Sequence, residues 1–445
     1  MVRKVIYFLV SDLNDCRKTL QRTTSSSWVL IVVPNGNAAT KTISEMRFIS
    51  GVMGVGLEYS TGTNLFTSPN RKLIRVITAT NLLEGFNLAG PTPIRNYPEI
   101  ILYEDLDQMD TSYELAIALT KHATERFQSR SIGLTRSLID PTDLASWLGV
   151  ESMGLHSFLP RDREQPLTCS IQPYTISHSG ALFKALAKPV YTAIRGVHTG
   201  DSGIVFVPSR IHCQIVAQDM ITQCALTSSS ERGFLPESVV PIYVEDYLAR
   251  IQDAALVNCV SRGVGVFHHG ISKSDRKLVL ELFAEGVVRL LIAPREACWS
   301  LPVRAEVVVA MGTQYIQGDP SKPERRLRDY TIGEVAQMQS RAVRQNGAGY
   351  FVLFCPAEAV EMFNKFLNED GLPLESQLLE TEDLEKWYRE RRKDGTIRNK
   401  QDGVDALSFT FLAQRMMKNP TYYGLGPDTS EAEALSRIVD RFERN

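Results

Sequence analysis

The sequence predicts an α/β fold with two doubly wound parallel-sheet domains in tandem and a helical domain after them. Short runs of β-branched and aliphatic residues recur, and a segment with helical periodicity follows each run. The series restarts near residue 200 and stops after Pro356. Continuous apolar strands that alternate with helices are typical of a parallel sheet covered on both faces.

The predicted elements fall into three groups along the chain. The first group of strands is WVLIVV (28–33), LIRVITAT (73–80), EIILY (99–103) and SIGLT (131–135). The second group is GIVFVP (203–208), VGVFHH (264–269), VRLLIA (288–293), AEVVVAM (305–311) and YFVLF (350–354). After Pro356 the apolar residues take helical spacing, through AVEMFNKFL (359–367) and DALSFTFLAQRMM (405–417). In sheets of this class, ligands bind at the carboxyl ends of the strands.

Composition and charge narrow the function classes. The chain has 445 residues, of which 43% are hydrophobic, so it has enough apolar material for several cores. Lys and Arg number 49 against 51 Asp and Glu, for a net charge of -2. This balance gives no overall attraction to nucleic acid or to an anionic membrane, so any RNA contact must be local.

Cysteine usage and the N-terminus indicate an intracellular chain without a metal. The seven cysteines are widely spaced and form no C-x-x-C pair, which is typical of reduced thiols. His268 and His269 have no ligand-type neighbours at metal-binding spacing, so we expect no metal site. No apolar run is long enough to span a membrane, and MVRKVIYFLVSDLNDC does not resemble a signal peptide.

The segment PNGNAATKTISEM (34–46) follows the first strand, where a phosphate-binding loop would turn the chain into a helix. Such a loop needs glycines so that backbone amides can wrap phosphates, and then Lys and Ser/Thr for charge and Mg²⁺. Lys41 and Thr42 are present, but Thr40 occupies the glycine position before the lysine. Taken alone, the segment is better interpreted as an ordinary strand-to-helix turn.

A carboxylate pair follows the third strand, at Glu104 and Asp105, with Asp107 two residues later. Acidic residues at the carboxyl end of a strand can hold Mg²⁺ and orient an attacking water in an ATPase. The usual order is Asp-Glu, so the reversed order moves the metal-binding carboxylate outward by one methylene. A solvated acidic loop is the alternative interpretation.

Longer motifs follow in a characteristic order. They are GLTRSLIDPTDLASWLG (133–149), AKPVYTAI (187–194), SGIVFVPSR (202–210), FHHGISKSDRKLVLELFAEGVVRLLIAPREACWSLPVRAEVVV (267–309), EVAQMQSRAVRQ (334–345) and IRNKQDGVDALSFTFLAQRMMKNPTYYGL (397–425). Together they resemble the DExH RNA helicases of superfamily two, and most closely the C-terminal cassette of the large two-cassette spliceosomal helicases. The resemblance covers nearly the whole chain.

The resemblance implies three domains. We expect a RecA-like domain over residues 1–165, a second RecA-like domain over 166–372 and a winged-helix domain over 373–445. The stretch between Thr42 and Tyr59 is too short for the family's usual RNA-contacting segment and its strand. We therefore expect either a trimmed first domain or a chain that is a fragment of a longer one.

Several departures from the family pattern fall on its chemistry. Ser300 and Pro302 stand where the fifth motif has a glycine and an asparagine, and proline removes a donor. Asp107 stands where the family has a histidine, which would put a further negative charge near a triphosphate.

The sixth motif keeps its charged residues and loses its glycines. Gln337, Arg341 and Arg344 correspond to the family's glutamine and two arginines, whereas Ser340 and Val343 replace glycines. The backbone that would bring the arginines close to a phosphate has therefore acquired side chains.

These departures predict a catalytically silent cassette with a docking and regulatory role. The expected catalytic remnants are Glu104, Asp105, Asp107 and Gln337, and a vestigial nucleotide site would use Lys41, Thr42, Arg341 and Arg344. No cofactor is required, and ATP with Mg²⁺ would bind weakly. The Lys/Arg runs, among them Arg391-Arg392-Lys393 and Arg325-Arg326, are short, so we expect protein contacts rather than a grip on RNA.

The resemblance also implies partners and a location. The partners would be the active helicase cassette of the same protein and the large spliceosomal scaffold protein, with small nuclear RNA contacted only indirectly and no membrane. The location would be the nucleus. The alternative is an active ATP-dependent RNA helicase of the same family, which the surviving Arg341 and Arg344 would favour.

Overall fold

The computed structural model describes residues 28–62, 67, 69–89, 97–124, 129–177, 180–195, 201–228, 232–318, 325–426 and 428–444. These residues divide into two compact units. The first unit takes the described residues up to Ser157 together with those from Pro373 onward, and the second unit is Phe158–Leu372. The three-domain division at residues 165 and 372 stays a prediction. The segment MVRKVIYFLVSDLNDC lies outside the described residues.

The first unit contains a five-stranded parallel sheet. Its strands are β1 (Trp28–Val33), β2 (Gly56–Tyr59), β3 (Leu73–Thr78), β4 (Ile100–Tyr103) and β5 (Arg130–Gly133), in the order β2-β3-β1-β4-β5. The helices that alternate with them are α1 (Gly36–Met53), α2 (Ala79–Ala89), α3 (Thr111–Thr124) and α4 (Thr142–Trp147). Val32 pairs with Tyr103, so the segments that leave β1 and β4 meet at one edge of the sheet.

The second unit contains a six-stranded parallel sheet and a separate hairpin. The sheet strands are β6 (Leu167–Tyr174), β7 (Gly203–Val207), β8 (Val264–Val266), β9 (Leu290–Pro294), β10 (Val307–Met311) and, beyond the hairpin of β11 (Gln314–Gly318) and β12 (Arg325–Asp329), β13 (Gly349–Pro356). The strand order is β6-β13-β10-β7-β9-β8. Its helices are α5 (Gly180–Arg195), α6 (Arg210–Ser228), α7 (Pro241–Leu248), α8 (Ala254–Val260), α9 (Lys273–Ala284), α10 (Ile332–Gln339) and α11 (Val360–Asn364).

The C-terminal helices complete the first unit. They are α12 (Asp383–Lys393), α13 (Lys400–Ser408), α14 (Phe411–Lys418) and α15 (Glu431–Arg444). Leu115 of α3 belongs to the hydrophobic core that these helices form around Tyr388 and Leu412. Arg415 of α14 forms ion pairs with Asp143 of α4 and with Glu375. These helices are therefore fixed to α3 and α4 by both apolar and polar contacts.

Short helical turns connect several elements. They are 3₁₀ turns at Leu106–Gln108, Ser152–Gly154, Pro160–Asp162, Arg295–Cys298 and Ala357–Ala359, and a π turn at Lys365–Glu369. Within the described ranges, no helix has both the length and the apolar character needed to cross a bilayer.

The predicted fold class is confirmed, since both sheets are parallel and are covered by helices. All nine predicted strands are strands, with ends displaced by a few residues. The sequence analysis missed β2, β6 and the hairpin, because these strands are half-exposed and carry polar residues among the apolar ones. None of the cysteines in the described ranges forms a disulfide; Cys16 lies outside those ranges.

Candidate functional site

The turn after β1 forms a capped helix. The side chain of Asn35 accepts hydrogen bonds at its Oδ1 from the backbone N–H groups of Asn37 and Ala38, both at 3.1 Å. Asparagine is a preferred residue at this position because it satisfies amides that have no partner within the helix. The helix begins at Gly36, where an added Cβ would meet nothing within 4 Å. This stretch therefore has no wrapping loop, and Asn35 already binds the amides of the second and third residues of α1.

Lys41 and Thr42 lie in the second turn of α1 and have different environments. Lys41 is exposed, whereas Thr42 is buried and its Oγ1 donates a hydrogen bond to Glu104 Oε2 at 2.7 Å. Lys41 is five positions beyond Gly36, the first residue of the helix, which is about 7.5 Å along its axis. The structure thus joins Thr42 to the acidic pair, and Lys41 stands apart from the helix N-terminus.

Glu104 continues from β4 into the same edge of the sheet. Its N–H donates to the carbonyl oxygen of Val32, and its own carbonyl accepts from the hydroxyl of Tyr113 at 2.8 Å. The side chain is buried, and among the described residues no donor reaches its Oε1. Burial raises the pKa of the Glu104 carboxyl to about 7, although the bond from Thr42 opposes that rise.

Asp105 has an unusual backbone conformation. Its φ of 52° and ψ of 48° are left-handed, and within the described residues it is the one non-glycine residue with positive φ. Such a conformation costs free energy, although Asp tolerates it better than most residues do. Burial raises the pKa of its carboxyl, and the charge of Asp107 adds to that rise. The pair is therefore two adjacent carboxyls that are both biased toward the protonated form.

Asp107 has a cationic partner within the first unit. Its Oδ2 lies 2.7 Å from Nη1 of Arg136, and its Oδ1 accepts from the Arg136 backbone N–H at 3.0 Å. We expected Asp107 to add negative charge near a triphosphate. The structure pairs it with Arg136, so the added charge is balanced locally.

In the second unit, the segment after β9 keeps its turn despite the substitutions. Ser300 donates its N–H to the carbonyl of Ala297, and its buried hydroxyl has no hydrogen-bond partner among the described residues. The carbonyl of Cys298 accepts from Nη2 of Arg341 at 3.0 Å. Pro302 follows without a backbone donor. The guanidinium of Arg341 is thus bound to the backbone of the fifth motif.

Arg344 is also engaged inside the second unit. Its Nη2 forms an ion pair with Asp201, and its Nε donates to the carbonyl of Ala348 at 3.2 Å. Both side chains of the pair are largely buried. The backbone N–H of Val343 donates to the carbonyl oxygen of Ala305. This bond fixes the segment between Arg341 and Arg344. Gln337 lies in the last turn of α10, and Ser340 follows the last residue of that helix. The Ser340 hydroxyl donates to the carbonyl of Gln337.

The residues present fit a triphosphate with Mg²⁺ only in part. Oxygen ligands are available at Thr42 and at the unpartnered Oε1 of Glu104, which suits Mg²⁺. The amides that would hold phosphate are already bonded to Asn35. Across the described chain, no group of three or more His, Cys, Asp or Glu side chains is arranged to hold a metal ion.

Sequence reasoning missed three residues that bind the groups described above. Asn35 and Arg136 lie in the first unit, and Asp201 lies in the second. Asn35 had a usable signal, because an Asn just before a helix is a strong N-cap candidate. Arg136 lies in the motif at 133–149, but nothing in the sequence indicated its pairing with Asp107, 29 residues away, and nothing indicated that Asp201 pairs with Arg344, 143 residues away.

The comparisons with known proteins agree with the motifs. A family model described as a winged helix-turn-helix domain, WHD_SNRNP200, matches residues 377–444. The U5 small nuclear ribonucleoprotein 200 kDa helicase of Homo sapiens is 37% identical over 319 residues, which cover 70% of this chain and 14% of that protein. The pre-mRNA-splicing factor brr2 of Schizosaccharomyces pombe is 31% identical over 339 residues, 74% of this chain and 15% of that protein.

A plant relative gives the same result. The DExH-box ATP-dependent RNA helicase DExH12 of Arabidopsis thaliana is 35% identical over 299 residues, 66% of this chain and 13% of that protein. The chain thus spans about one-seventh of the length of the curated relatives that it matches. The resemblance seen in the motifs is confirmed: over most of its length, and in its winged-helix segment, this chain is similar to the U5 small nuclear ribonucleoprotein 200 kDa helicases.

Proposed function

We propose that this chain is a catalytically silent helicase-like cassette that serves pre-mRNA splicing as a protein-docking and regulatory module. The observation that carries the proposal is that Asn35 Oδ1 accepts hydrogen bonds from the backbone N–H groups of Asn37 and Ala38, the second and third residues of α1. Phosphoryl transfer depends on backbone amides and cations that hold the phosphates in place. A ligand phosphate would have to displace Asn35 from both amides.

The cost of this arrangement to nucleotide binding is large. A hydrogen bond to a charged group contributes roughly 1.5–3 kcal/mol. The loss of two such bonds amounts to roughly 3–6 kcal/mol, or about two to four powers of ten in affinity. Lys41, exposed in the second turn, would supply charge without the accompanying amides. We therefore expect weak binding of Mg²⁺-ATP or none.

The second unit supports the proposal independently. Arg341 donates to the Cys298 carbonyl, and Arg344 pairs with Asp201. A phosphate would have to compete with a carboxylate in the same unit for the Arg344 guanidinium. The arginines that correspond to the family's sixth motif thus have structural partners, which explains how they could be retained without turnover.

The cellular role follows from the relatives. The human relative is named as a helicase of the U5 small nuclear ribonucleoprotein, and the Schizosaccharomyces pombe relative is named as a pre-mRNA-splicing factor. We infer that this chain acts in the nucleus with an active helicase cassette and the large spliceosomal scaffold protein, and that it meets small nuclear RNA only indirectly. Its net charge of -2 is consistent with protein contacts rather than a grip on many phosphates.

The first test is ATP hydrolysis by the purified chain with and without RNA. We expect phosphate release no greater than that of the Glu104→Gln variant, which removes the carboxylate next to Thr42 and reports contaminating activity. RNA-stimulated turnover on the order of 1 per second, which is ordinary for an enzyme, would overturn the proposal if Glu104→Gln abolished it.

The second test is nucleotide binding by calorimetry. We expect Lys41→Ala to leave the weak or absent binding of Mg²⁺-ATP unchanged, and the fold intact by circular dichroism. Micromolar binding that Lys41→Ala removes would show that the turn after β1 opens to accept phosphate, and the silent cassette would then be the wrong interpretation.

An active ATP-dependent RNA helicase is the second candidate. It is favoured by the contact between Thr42 and Glu104, which joins a magnesium-type hydroxyl to an acidic pair. RNA affinity measured across salt concentrations separates the two, because binding that neutralises several phosphates weakens steeply as salt rises. We expect no submicromolar RNA binding at physiological salt.

A further inference from the structure

The hairpin of β11 and β12 is held firmly at its base. Tyr330 donates its N–H to the carbonyl of Thr313, and the guanidinium of Arg295 lies 3.8 Å from the centroid of the Tyr315 ring. Arg295 also forms an ion pair with Glu334 at the start of α10. A two-stranded hairpin is marginal in water without such support. The residue pairs farther from this base are therefore held by contacts that fix the position of the hairpin.

The two faces of the hairpin differ in chemistry. Ile316 and Leu327 are directly opposite each other, and they remain 53% and 50% exposed. Because side chains alternate between the faces of a strand, Arg326 and Arg328 lie on the other face, opposite Gln317 and Tyr315. Arg328 Nε donates to Gln317 at 3.2 Å. The first face therefore has an aliphatic pair at its centre, between the Gln314–Asp329 and Gly318–Arg325 pairs, and the other face is cationic.

The edges of the hairpin are available for pairing. In the part of the chain that the structure describes, β11 and β12 pair with each other and with no third strand. An edge strand presents backbone donors and acceptors to which an extended segment can add. A segment added beside β12 would place alternate side chains next to Leu327 on one face, and next to Arg326 and Arg328 on the other.

We propose that this hairpin is a docking site for an extended protein segment in which acidic and aliphatic residues alternate. The acidic residues would face Arg326 and Arg328, and the aliphatic residues would cover Ile316 and Leu327. The aliphatic pair favours protein over RNA, because RNA-binding surfaces stack bases on aromatic side chains. Tyr315, the aromatic residue on the cationic face, already stacks with the guanidinium of Arg295. This site is independent of whether the cassette hydrolyses ATP.

The test is fluorescence anisotropy with the full chain and three labelled probes. The first is a nonapeptide of alternating Glu and Val that begins and ends with Glu. The second has the same composition with all five Glu before the four Val, and the third is a twelve-nucleotide oligouridylate. We expect saturable binding of the alternating peptide, and at least tenfold weaker binding of the other two probes.

Two hairpin variants locate the binding. Ile316→Thr with Leu327→Thr removes apolar area but keeps strand propensity. Arg326→Glu with Arg328→Glu reverses the charge. We expect each to weaken the alternating peptide about tenfold or more, and Arg326→Lys with Arg328→Lys to retain most of the affinity. The matched control is Ile211→Gln with Leu226→Gln on α6, which are 74% and 75% exposed and should leave binding unchanged.

Three results would overturn the proposal. Equal binding of the two peptides would show attraction by charge alone. Tighter binding of oligouridylate, lost only in the arginine variants, would make the hairpin an RNA contact. If neither peptide binds although circular dichroism shows the fold intact, the arginines serve only to protect the strand edges from aggregation.

Discussion

Glu114 of α3 joins the first sheet's helices to the C-terminal helices through a buried carboxylate. It is 1% exposed, and its two oxygens accept from the Leu412 backbone N–H and the Ser376 hydroxyl, each at 2.7 Å. Leu412 is the second residue of α14, so the carboxylate caps that helix. Burial nevertheless raises the pKa of Glu114 from 4.5 to about 7, and the hydrogen bonds reduce that rise only in part.

The raised pKa makes stability depend on pH with a definite sign. Between pH 4.5 and 7, the folded chain binds a proton at Glu114 that the unfolded chain has released. The stabilisation is therefore complete below about pH 4.5 and is lost as pH rises through about 7. One pKa unit corresponds to about 1.4 kcal/mol. The free energy of unfolding should thus fall by roughly 2–3 kcal/mol between pH 5 and pH 8 because of this one group.

Glu114→Gln isolates this effect, because glutamine stays neutral at every pH. Urea unfolding can be followed by tryptophan emission in a Trp299→Phe background, since Trp28, Trp147 and Trp387 all lie in the first unit. The free energy of unfolding of the parent minus that of Glu114→Gln should decrease by roughly 2–3 kcal/mol from pH 5 to pH 8.

The subtraction is necessary because Glu104, in the same unit, also has a pKa raised to about 7. Glu431→Gln, at the exposed start of α15, is the matched control and should give a profile parallel to the parent. A difference between parent and Glu114→Gln that stays constant with pH, or that grows as pH rises, would refute the reasoning. The carboxylate would then be stabilised in its charged form by the backbone amides of Leu412 and Phe411 and by the Ser376 hydroxyl.

Three further substitutions have definite expected outcomes. Gly36→Ala should leave the urea midpoint unchanged or raise the free energy of unfolding by up to about 1 kcal/mol, since the residue is helical and its Cβ has free space; a large loss would contradict a helix there. Gly403→Ala should cost about 1–3 kcal/mol, since its Cβ would lie 2.7 Å from Cε2 of Tyr388; an unchanged midpoint would contradict this packing. Asp201→Asn should lower the free energy of unfolding of the second unit by about 1–3 kcal/mol, because it leaves Arg344 without its carboxylate. Trp299 emission, with the other tryptophans replaced, reports this unfolding. A neutral effect would mean that the ion pair is dispensable.

The fold was predictable where burial made the strands continuous in apolar character. β1, β7, β9 and β10 are almost entirely buried, and their sequences show it directly. The edge strand β6 is mostly half-buried, with Tyr174 as its one buried residue, and it contains Pro173, so its composition did not indicate a strand. The hairpin is stabilised by Arg295 and Tyr330, which lie outside its two strands, and no local pattern could show that support.

The sequence predicted which residue types form the candidate site, but it did not predict which side chains bind each other there. Thr42 and Glu104 were selected from separate motifs, and the parallel pairing of β1 with β4 brings them into hydrogen-bond contact. The partner of Asp107 is Arg136, which lies in a quoted motif that gave no reason to pair the two, and the partner of Arg344 is Asp201, which lies outside the motifs. Their roles in nucleotide binding stay predictions.

Under the proposed function, a side chain in each unit would occupy a position that could otherwise contact phosphate, and the two contacts use different chemistry. In the first unit, the amide oxygen of Asn35 accepts from helix amides, which a phosphate oxygen would otherwise do. In the second unit, the carboxylate of Asp201 supplies the negative charge next to the Arg344 guanidinium. Because the two units fold around separate sheets, these contacts are independent of each other. Asp201→Asn removes the carboxylate beside Arg344 but leaves Asn35 bonded to the helix amides. We therefore expect Asp201→Asn alone to restore no nucleotide binding. Binding should return only when the turn at Asn35 is also rebuilt with glycines.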